Sequence, residues 1–436
     1  MNPPARSEDG VSFFRTPAGI ASVVAVFLLG IGLRVGNLGS VASRSPDERV
    51  YTWQARVVLA EGPGGIRSLV ETYLRNPDLR FYPPPTRAGY IRLLAAVMRV
   101  SRTTDERAGA YLSCAASIGS LALLLLFGFR FLPAPATLAA AILFAVSPME
   151  LALSRRTWQD ALVEFLGFSL VYLAAEISRD GGRPAWLVAY VLVGSLGIVV
   201  KEIAPVAYAL VTLQVLYVLV VRRRDLKGSV LLAVAGLAGA AAAVGWLAAA
   251  VGGLSTLWGI VSGIPAANAA NVYAIQYQTG PAWRVLQAFW VVSPVASLLC
   301  LAGLAGLLLA RLRLLSTLES LGPEGLETGW WIGAFLLCFL ALPMLLPHWI
   351  NLRYVSVIYG PFYLLAGIGV WSILELATRV SGLNRRAVTA AVFAVIVLAA
   401  AADVRFFRKI FVERGLPDLS IRFLLETTGR AEPNGR

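Results

Sequence analysis

The sequence predicts an all-α, polytopic integral membrane protein of about eleven transmembrane helices, with a long first outer loop carrying interfacial helices. Three observations carry this. Of 436 residues, 58% are hydrophobic and only 14% charged, whereas a soluble domain carries roughly 25% charged residues. Mean hydropathy is +0.71. Apolar runs of spanning length recur along the whole chain, and the connections between them are short and rich in arginine.

The first run, 17–36, follows Arg15. With Arg15 before it, it also fits a signal peptide; its length and the weak cleavage site offered by the small residues before Arg44 favour a retained span. Further runs lie at 108–130, 134–153, 160–177, 185–200, 203–221, 229–251, 285–310, 330–347, 354–376 and 387–403. The net charge of +13 comes almost entirely from arginine, since Lys201, Lys227 and Lys409 are the only lysines. These charges are scattered between apolar runs, so membrane topology explains them better than nucleic-acid binding does. Cys114, Cys300 and Cys338 fall inside apolar runs and read as small buried residues. His348 is the one histidine, which argues against histidine-cluster metal sites and Ser-His-Asp triads.

With the N-terminus in the cytoplasm, the inside connections are Arg130, Arg179 to Arg183, Arg222 to Lys227, Arg311 to Arg313 and Arg379 to Arg386. Each carries arginine, as the positive-inside rule requires. The outside segments are then 38–107, 154–159, the break near Lys201, 252–283, 348–353 and the tail after Asp403. The strong charges gather at this one face, and none falls near the middle of a predicted span.

The first outer segment is the longest and opens on Ser45-Pro46-Asp47-Glu48-Arg49-Val50-Tyr51. That stretch is a helix-start signature, with Ser45 as N-cap, Pro46 as first helical residue and Glu48 as capping-box partner. It is also where an ionised carboxylate is held by a helix N-terminus, as a general base or metal ligand must be. Gly62-Pro63-Gly64-Gly65 breaks the segment. Phe81-Tyr82-Pro83-Pro84-Pro85 interrupts it again, and Ala88 to Val100 has the apolar spacing of a helix in the interface plane.

Charged groups recur at the later outer connections. Ser147-Pro148 leads to Glu150, Ser154-Arg155-Arg156 and Asp160, with Glu164 one turn on; an ion-pair network closing a helical hairpin is the plain account. Lys201-Glu202 reads as a tight outer turn, with snorkelling to the interface as the plain account. His348 to Tyr354 reads either as an aromatic belt with an Arg anchor or as a phosphate-binding Arg353 flanked by Tyr354. Loop 252–283 holds Asn268, Asn271, Tyr273, Gln276, Tyr277, Gln278 and Trp283. It suits sugar contact, or a helix resting at the headgroups. The tail Val404 to Gly429 alternates basic and apolar residues and reads as lying along the membrane.

One span followed by Asp-Glu at the start of a long outer loop resembles the membrane-embedded GT-C glycosyltransferases. The relatives it is most similar to are the dolichyl-phosphate-mannose–protein mannosyltransferases of glycosyltransferase family 39 and the lipid A aminoarabinose transferases. Ser147-Pro148, Ser154-Arg155, Asp160, Lys201-Glu202 and Arg353-Tyr354 extend the resemblance over 17–403. It implies a transmembrane transferase domain over 1–403 and a short outer tail over 404–436, in place of the soluble C-terminal domain often found in such enzymes. It implies Asp47 as catalytic base and Asp160 as the second acidic position, which helps hold a metal or the acceptor, so a divalent cation on Asp47 and Asp160 is the cofactor to test for. Lys201 and Arg353 match basic positions near the donor's phosphate. The candidate substrate-binding set is Glu48, Arg155, Lys201, Glu202, Arg353, Tyr354, Tyr82 and His348.

The expected activity is transfer of a sugar from a polyprenyl-phosphate carrier to a lipid, glycan or protein acceptor. It would take place at the outer face of a bacterial-type inner membrane, with membrane lipids as further partners and no nucleic acid. A nucleotide-sugar donor is disfavoured because no Gly-rich phosphate loop on a strand-helix unit is visible. A transporter or flippase of a lipid-linked glycan would show midplane charges and interrupted helices. A scaffold of envelope assembly would leave Asp47, Asp160 and Lys201 far apart.

Overall fold

The computed structural model describes residues 16–39, 41, 43–180, 183–312, 317–345, 351–382 and 384–429. The described chain is helical, and its one β-type pairing is an isolated antiparallel bridge between Asn351 and Ser420. In chain order the helices are α1 (Pro17–Val35), α2 (Pro46–Glu61), α3 (Gly65–Arg75), α4 (Ala88–Ser101), α5 (Glu106–Phe131), α6 (Ala134–Val146) and α7 (Pro148–Leu153). Then come α8 (Asp160–Asp180), α9 (Pro184–Val200), α10 (Ala204–Tyr217), α11 (Leu226–Val251), α12 (Leu254–Ala270) and α13 (Val272–Tyr277). The last are α14 (Arg284–Val292), α15 (Pro294–Arg311), α16 (Gly322–Leu345), α17 (Tyr359–Ser381), α18 (Arg385–Phe407) and α19 (Ile421–Thr427).

Among the described residues, 8 helical segments are long and apolar enough to cross a membrane, and α6 and α9 are shorter apolar helices. The protein is an integral membrane protein. Helix α8 and the segment Leu352–Val380 lie at the centre of the bundle, each 89% buried over its most apolar stretch. Helices α1, α11 and α18 instead turn bare leucines and valines outward, such as Leu28, Leu237 and Leu398, as a lipid-facing surface requires. Between α15 and α17 the packing is backbone to backbone: a Cβ on Gly303 would run into the Leu365 carbonyl, and one on Gly369 into the Leu299 carbonyl. Small residues at such a crossing replace the hydrophobic driving force that lipid removes.

Two expected spans are broken. The run 134–153 divides at Ser147-Pro148, where Ser147 Oγ accepts the Glu150 backbone N–H at 3.3 Å and starts a new helix. The run 285–310 divides at Ser293-Pro294 into α14 and α15. Proline lacks the N–H an unbroken helix needs, while hydropathy is blind to it. The segment 252–283 is mostly the helices α12 and α13. Helix α18 runs past Asp403 to Phe407, and a π-helical turn follows to Glu413.

The charges of the second outer connection do not pair with one another as a hairpin clasp. Arg34 in α1 donates to Ala145 O at 2.9 Å and to Ser117 Oγ at 2.8 Å, and Ser117 Oγ donates to Glu150 Oε2 at 2.9 Å. Arg155 donates to the carbonyls of Leu33 and Asn37. These bonds pin the end of α1 to the connection between α6 and α8. Glu164, one turn into α8, is buried, so an ionisable side chain reaches deeper than the edge expected from hydropathy.

Candidate active site

The start of α2 performs the capping role and holds Asp47 apart from it. Ser45 is the N-cap and Pro46 the first helical residue. Glu48 Oε2 accepts the Ser45 backbone N–H at 2.9 Å. The rest of the Glu48 carboxylate, fully buried, accepts from Arg44 at 2.8 Å, from Arg156 at 3.0 Å and from the Thr157 backbone N–H at 3.0 Å. Burial pushes this carboxyl up, but Arg156 and Arg44 outweigh it and hold it below the usual range. Glu48 is thus a clasp joining α2 to the turn before α8. Its position beside Asp47 in sequence does not make it a neighbour in role.

Asp47 faces the other way. Its Oδ2 accepts from Arg353 Nη1 at 3.1 Å, and its side chain is 31% exposed. Arg353 is the hub of the site. Its Nε donates to Asp160 Oδ2 at 3.0 Å and its Nη1 to Asp418 Oδ1 at 3.4 Å. Its guanidinium lies 4.1 Å from the ring centre of Trp158, whose indole N–H donates to Ser45 Oγ at 3.0 Å. Asp160 Oδ1 accepts from Lys201 Nζ. Asp47, Asp160 and Lys201 come from three separate connections, and they converge on one buried cluster. Burial pushes the Asp47 carboxyl above the usual aspartate range, with Arg353 opposing it and Asp418 adding to it.

Local geometry aims Arg353. Asn351 Oδ1 accepts the Arg353 backbone N–H at 3.0 Å and starts a 3₁₀ turn, Leu352–Ile358. Asn351 Nδ2 donates to Asp418 Oδ2 at 3.2 Å. The tail therefore does more than lie along the membrane. It returns through Leu416 to Ser420, and Asp418 accepts from Tyr273 Oη at 2.8 Å and from Ser420 Oγ. Burial raises the Asp418 carboxyl, but Arg353, with the Ser420 and Tyr273 bonds, holds it below the usual range.

Beside the cluster lies an apolar cavity of about 250 Å³ whose polar end is Thr86, Arg87, Lys201 and Glu202 and whose walls include Leu247, Leu257 and Trp258. Arg87 Nε donates to Glu202 Oε2 at 2.9 Å, and its Nη1 donates to Tyr51 Oη. Gly89 permits this meeting: a Cβ there would sit 2.7 Å from the Val199 carbonyl, so any other residue would push α4 off the end of α9. Lys201 Nζ also lies 5.2 Å from the Tyr354 ring centre.

Lys201, Glu202, Arg353 and Tyr354 thus join Asp47 and Asp160 around the site, while Arg155 serves the α1 anchor and Tyr82 lies partly exposed just after a 3₁₀ turn, Pro77–Phe81. His348 lies outside the described residues. The metal expectation for Asp47 and Asp160 does not fit this donor set. Both Asp160 oxygens and Asp47 Oδ2 are engaged by Lys201 and Arg353, and no group of three His, Cys, Asp or Glu is placed to hold an ion among the described residues. Two functional positions escaped the sequence reading. Arg87 is marked in the sequence only by the Pro-Pro-Pro-Thr run before it, and Asp418 only by being an acid after a proline in a basic tail.

The helical architecture is similar to that of an oligosaccharyltransferase and of ArnT, both solved as membrane-protein structures. An oligosaccharyltransferase, AglB from Archaeoglobus fulgidus, solved with an inhibitory peptide and a dolichol-phosphate, superposes with a TM-score of 0.52 at 14% identity. The match covers 90% of this chain and 56% of that one, so the present chain spans little more than half the length of that enzyme. ArnT from Cupriavidus metallidurans bound to undecaprenyl phosphate gives a TM-score of 0.53 at 15% identity, over 95% of this chain and 76% of that one. Its apo form gives 0.50 at 13% identity, over 94% and 75%. No family model matches the sequence, and no curated protein matches it either.

Proposed function

We propose that the chain is a glycosyltransferase that moves a sugar from a polyprenyl-phosphate carrier to a hydroxyl of a lipid, glycan or protein acceptor. One observation carries the reading: Lys201 belongs both to the carboxylate cluster and to the rim of the apolar cavity. A chain of isoprene units buries its surface in such a cavity, with its phosphate against Lys201 and Arg87. The anomeric carbon then lies at the cluster. The AglB and ArnT structures that share the fold hold dolichol-phosphate and undecaprenyl phosphate, which supports the same carrier class here.

The chemistry is an in-line displacement. Asp47 takes the proton of the acceptor hydroxyl as its oxygen bonds to the anomeric carbon, and the carbon–oxygen bond to phosphate breaks with its electron pair leaving on the phosphate. Lys201 and Arg87 offset that developing charge. Arg353 holds Asp47 and Asp160 in register. Burial raises the Asp47 carboxyl against the pull of Arg353, which makes its carboxylate a stronger base than an ordinary aspartate. In this reading the site faces the outer side of a bacterial-type inner membrane and the N-terminus the cytoplasm, an orientation supported by the arginines of the short connections Arg222 to Lys227 and Arg379 to Arg386.

The test is transfer of labelled sugar from polyprenyl-phosphate donors by the purified protein. Lys201→Met should raise KM for the donor and lower kcat together, because it touches both binding and the departing charge. Unchanged kinetics in that variant would remove the reading.

A further inference from the structure

A second cavity, of about 270 Å³, opens on another side of α11, away from the carboxylate cluster. Its lining includes Pro63, Gly64, Arg67 on α3, Arg92 on α4, and Trp246 and Ala250 on α11. The Arg92 guanidinium lies 4.8 Å from the Trp246 ring centre and donates to the Pro63 carbonyl at 3.4 Å. That fixes one cation on the cavity wall. Arg67 is exposed on the opposing helix. No carboxylate lines the space, whereas in the first cavity Arg87 also pairs with Glu202.

Two guanidinium groups facing one water-accessible space without an acid are complemented by an anion, and the planar donor fork of arginine matches phosphate. The setting says where that anion comes from. Trp246 stands five residues from the end of a spanning helix and is 38% exposed, as aromatic residues at a membrane–water interface are. On the same face of the helix, about one and two turns toward its middle, Ala242 and Ala238 are exposed, an apolar surface against which acyl chains can lie. We propose that this cavity binds the phosphate of an anionic phospholipid headgroup, with Arg67 and Arg92 as its ligands and the lipid chains along α11. The site is independent of the transferase reading.

The experiment uses the full chain in detergent micelles, titrated with phosphatidylglycerol, with phosphatidylcholine and with inorganic phosphate, and read by thermal shift and by native mass spectrometry of retained lipid. The wild type should bind phosphatidylglycerol in preference to phosphatidylcholine. Each of Arg67→Gln and Arg92→Gln should weaken that binding about fivefold, and the pair together about 25-fold. Arg67→Lys, which keeps the charge and loses the fork, should fall between wild type and Arg67→Gln, with an unchanged melting temperature without lipid, which separates loss of a ligand from loss of fold. Equal binding of phosphatidylglycerol by wild type and the double variant would overturn the proposal. So would displacement of the lipid by millimolar inorganic phosphate, which would mark a soluble-anion site.

Discussion

Asp47→Asn separates the two roles that the start of α2 combines. The structural cost follows from the contacts. Asp47 makes one ion pair, to Arg353 at 3.1 Å, from a side chain 31% exposed. Asn keeps an oxygen for that hydrogen bond, and a partly exposed pair contributes about 0–1 kcal/mol. The cap itself belongs to Ser45 and Glu48, which the substitution leaves alone. Removal of a general base costs about 10²–10⁴ in rate, or roughly 3–5 kcal/mol of barrier. The variant should therefore melt close to wild type in detergent and transfer labelled sugar at least a hundredfold more slowly. The pH profile supplies a second readout. Because the Asp47 carboxyl is raised, activity should climb with pH through a limb displaced above the ordinary aspartate range, and that limb should vanish from the residual activity of the variant. Full turnover in Asp47→Asn, with the limb retained, would refute the assignment.

Three further outcomes follow from the geometry. Glu48→Gln leaves Arg156 buried without its charge partner, so stability should fall by about 3–5 kcal/mol, seen as a lower Tm. Since the Glu48 carboxyl is held below its usual value, its contribution is present above the ordinary carboxylate range and lost as pH falls through the folded value; the acid limb of Tm against pH should flatten in Glu48→Gln, and steepen in Asp47→Asn, where the opposing slope of a raised carboxyl is removed. Asp418→Asn weakens the tail's hold on Arg353, and should lower kcat several-fold with little change in donor binding, measured as a KM-against-kcat split; a change confined to KM would place Asp418 in the donor site. Chelation should leave transfer intact, because three carboxylate oxygens already face Lys201 and Arg353; loss of activity restored by added Mn²⁺ would mean that those oxygens exchange their cationic partners for a metal.

The helices and their order were legible because hydropathy reports lipid burial directly, and the Ser45-Pro46-Asp47-Glu48 start because capping is local chemistry. The convergence of Asp47, Asp160, Lys201 and Arg353 was legible only through the resemblance, since nothing local to any of them announces the others. Asp418 sits 65 residues from the arginine it binds, and no periodicity links a tail turn to a 3₁₀ turn near 353. The difference between Asp47 and Glu48 was also hidden. Both are acids in one first turn, and only the helix rotation sends one to Arg353 and the other to Arg156. The breaks at Pro148 and Pro294 were written in the sequence but smoothed over by an average over apolar residues.

The central claim is that the carrier's isoprene chain occupies the cavity between Lys201 and Trp258, with its phosphate beside the Asp47 cluster. A polyprenyl phosphate bearing a diazirine in its first isoprene units, photolysed on the wild-type protein and mapped by peptide mass spectrometry, tests it directly. The account predicts labelling within 198–205 and 244–261, competed by unlabelled polyprenyl phosphate and lost in a variant with Leu257→Trp filling the cavity. Labelling confined to other helices, or labelling there that Leu257→Trp leaves unchanged, would contradict it.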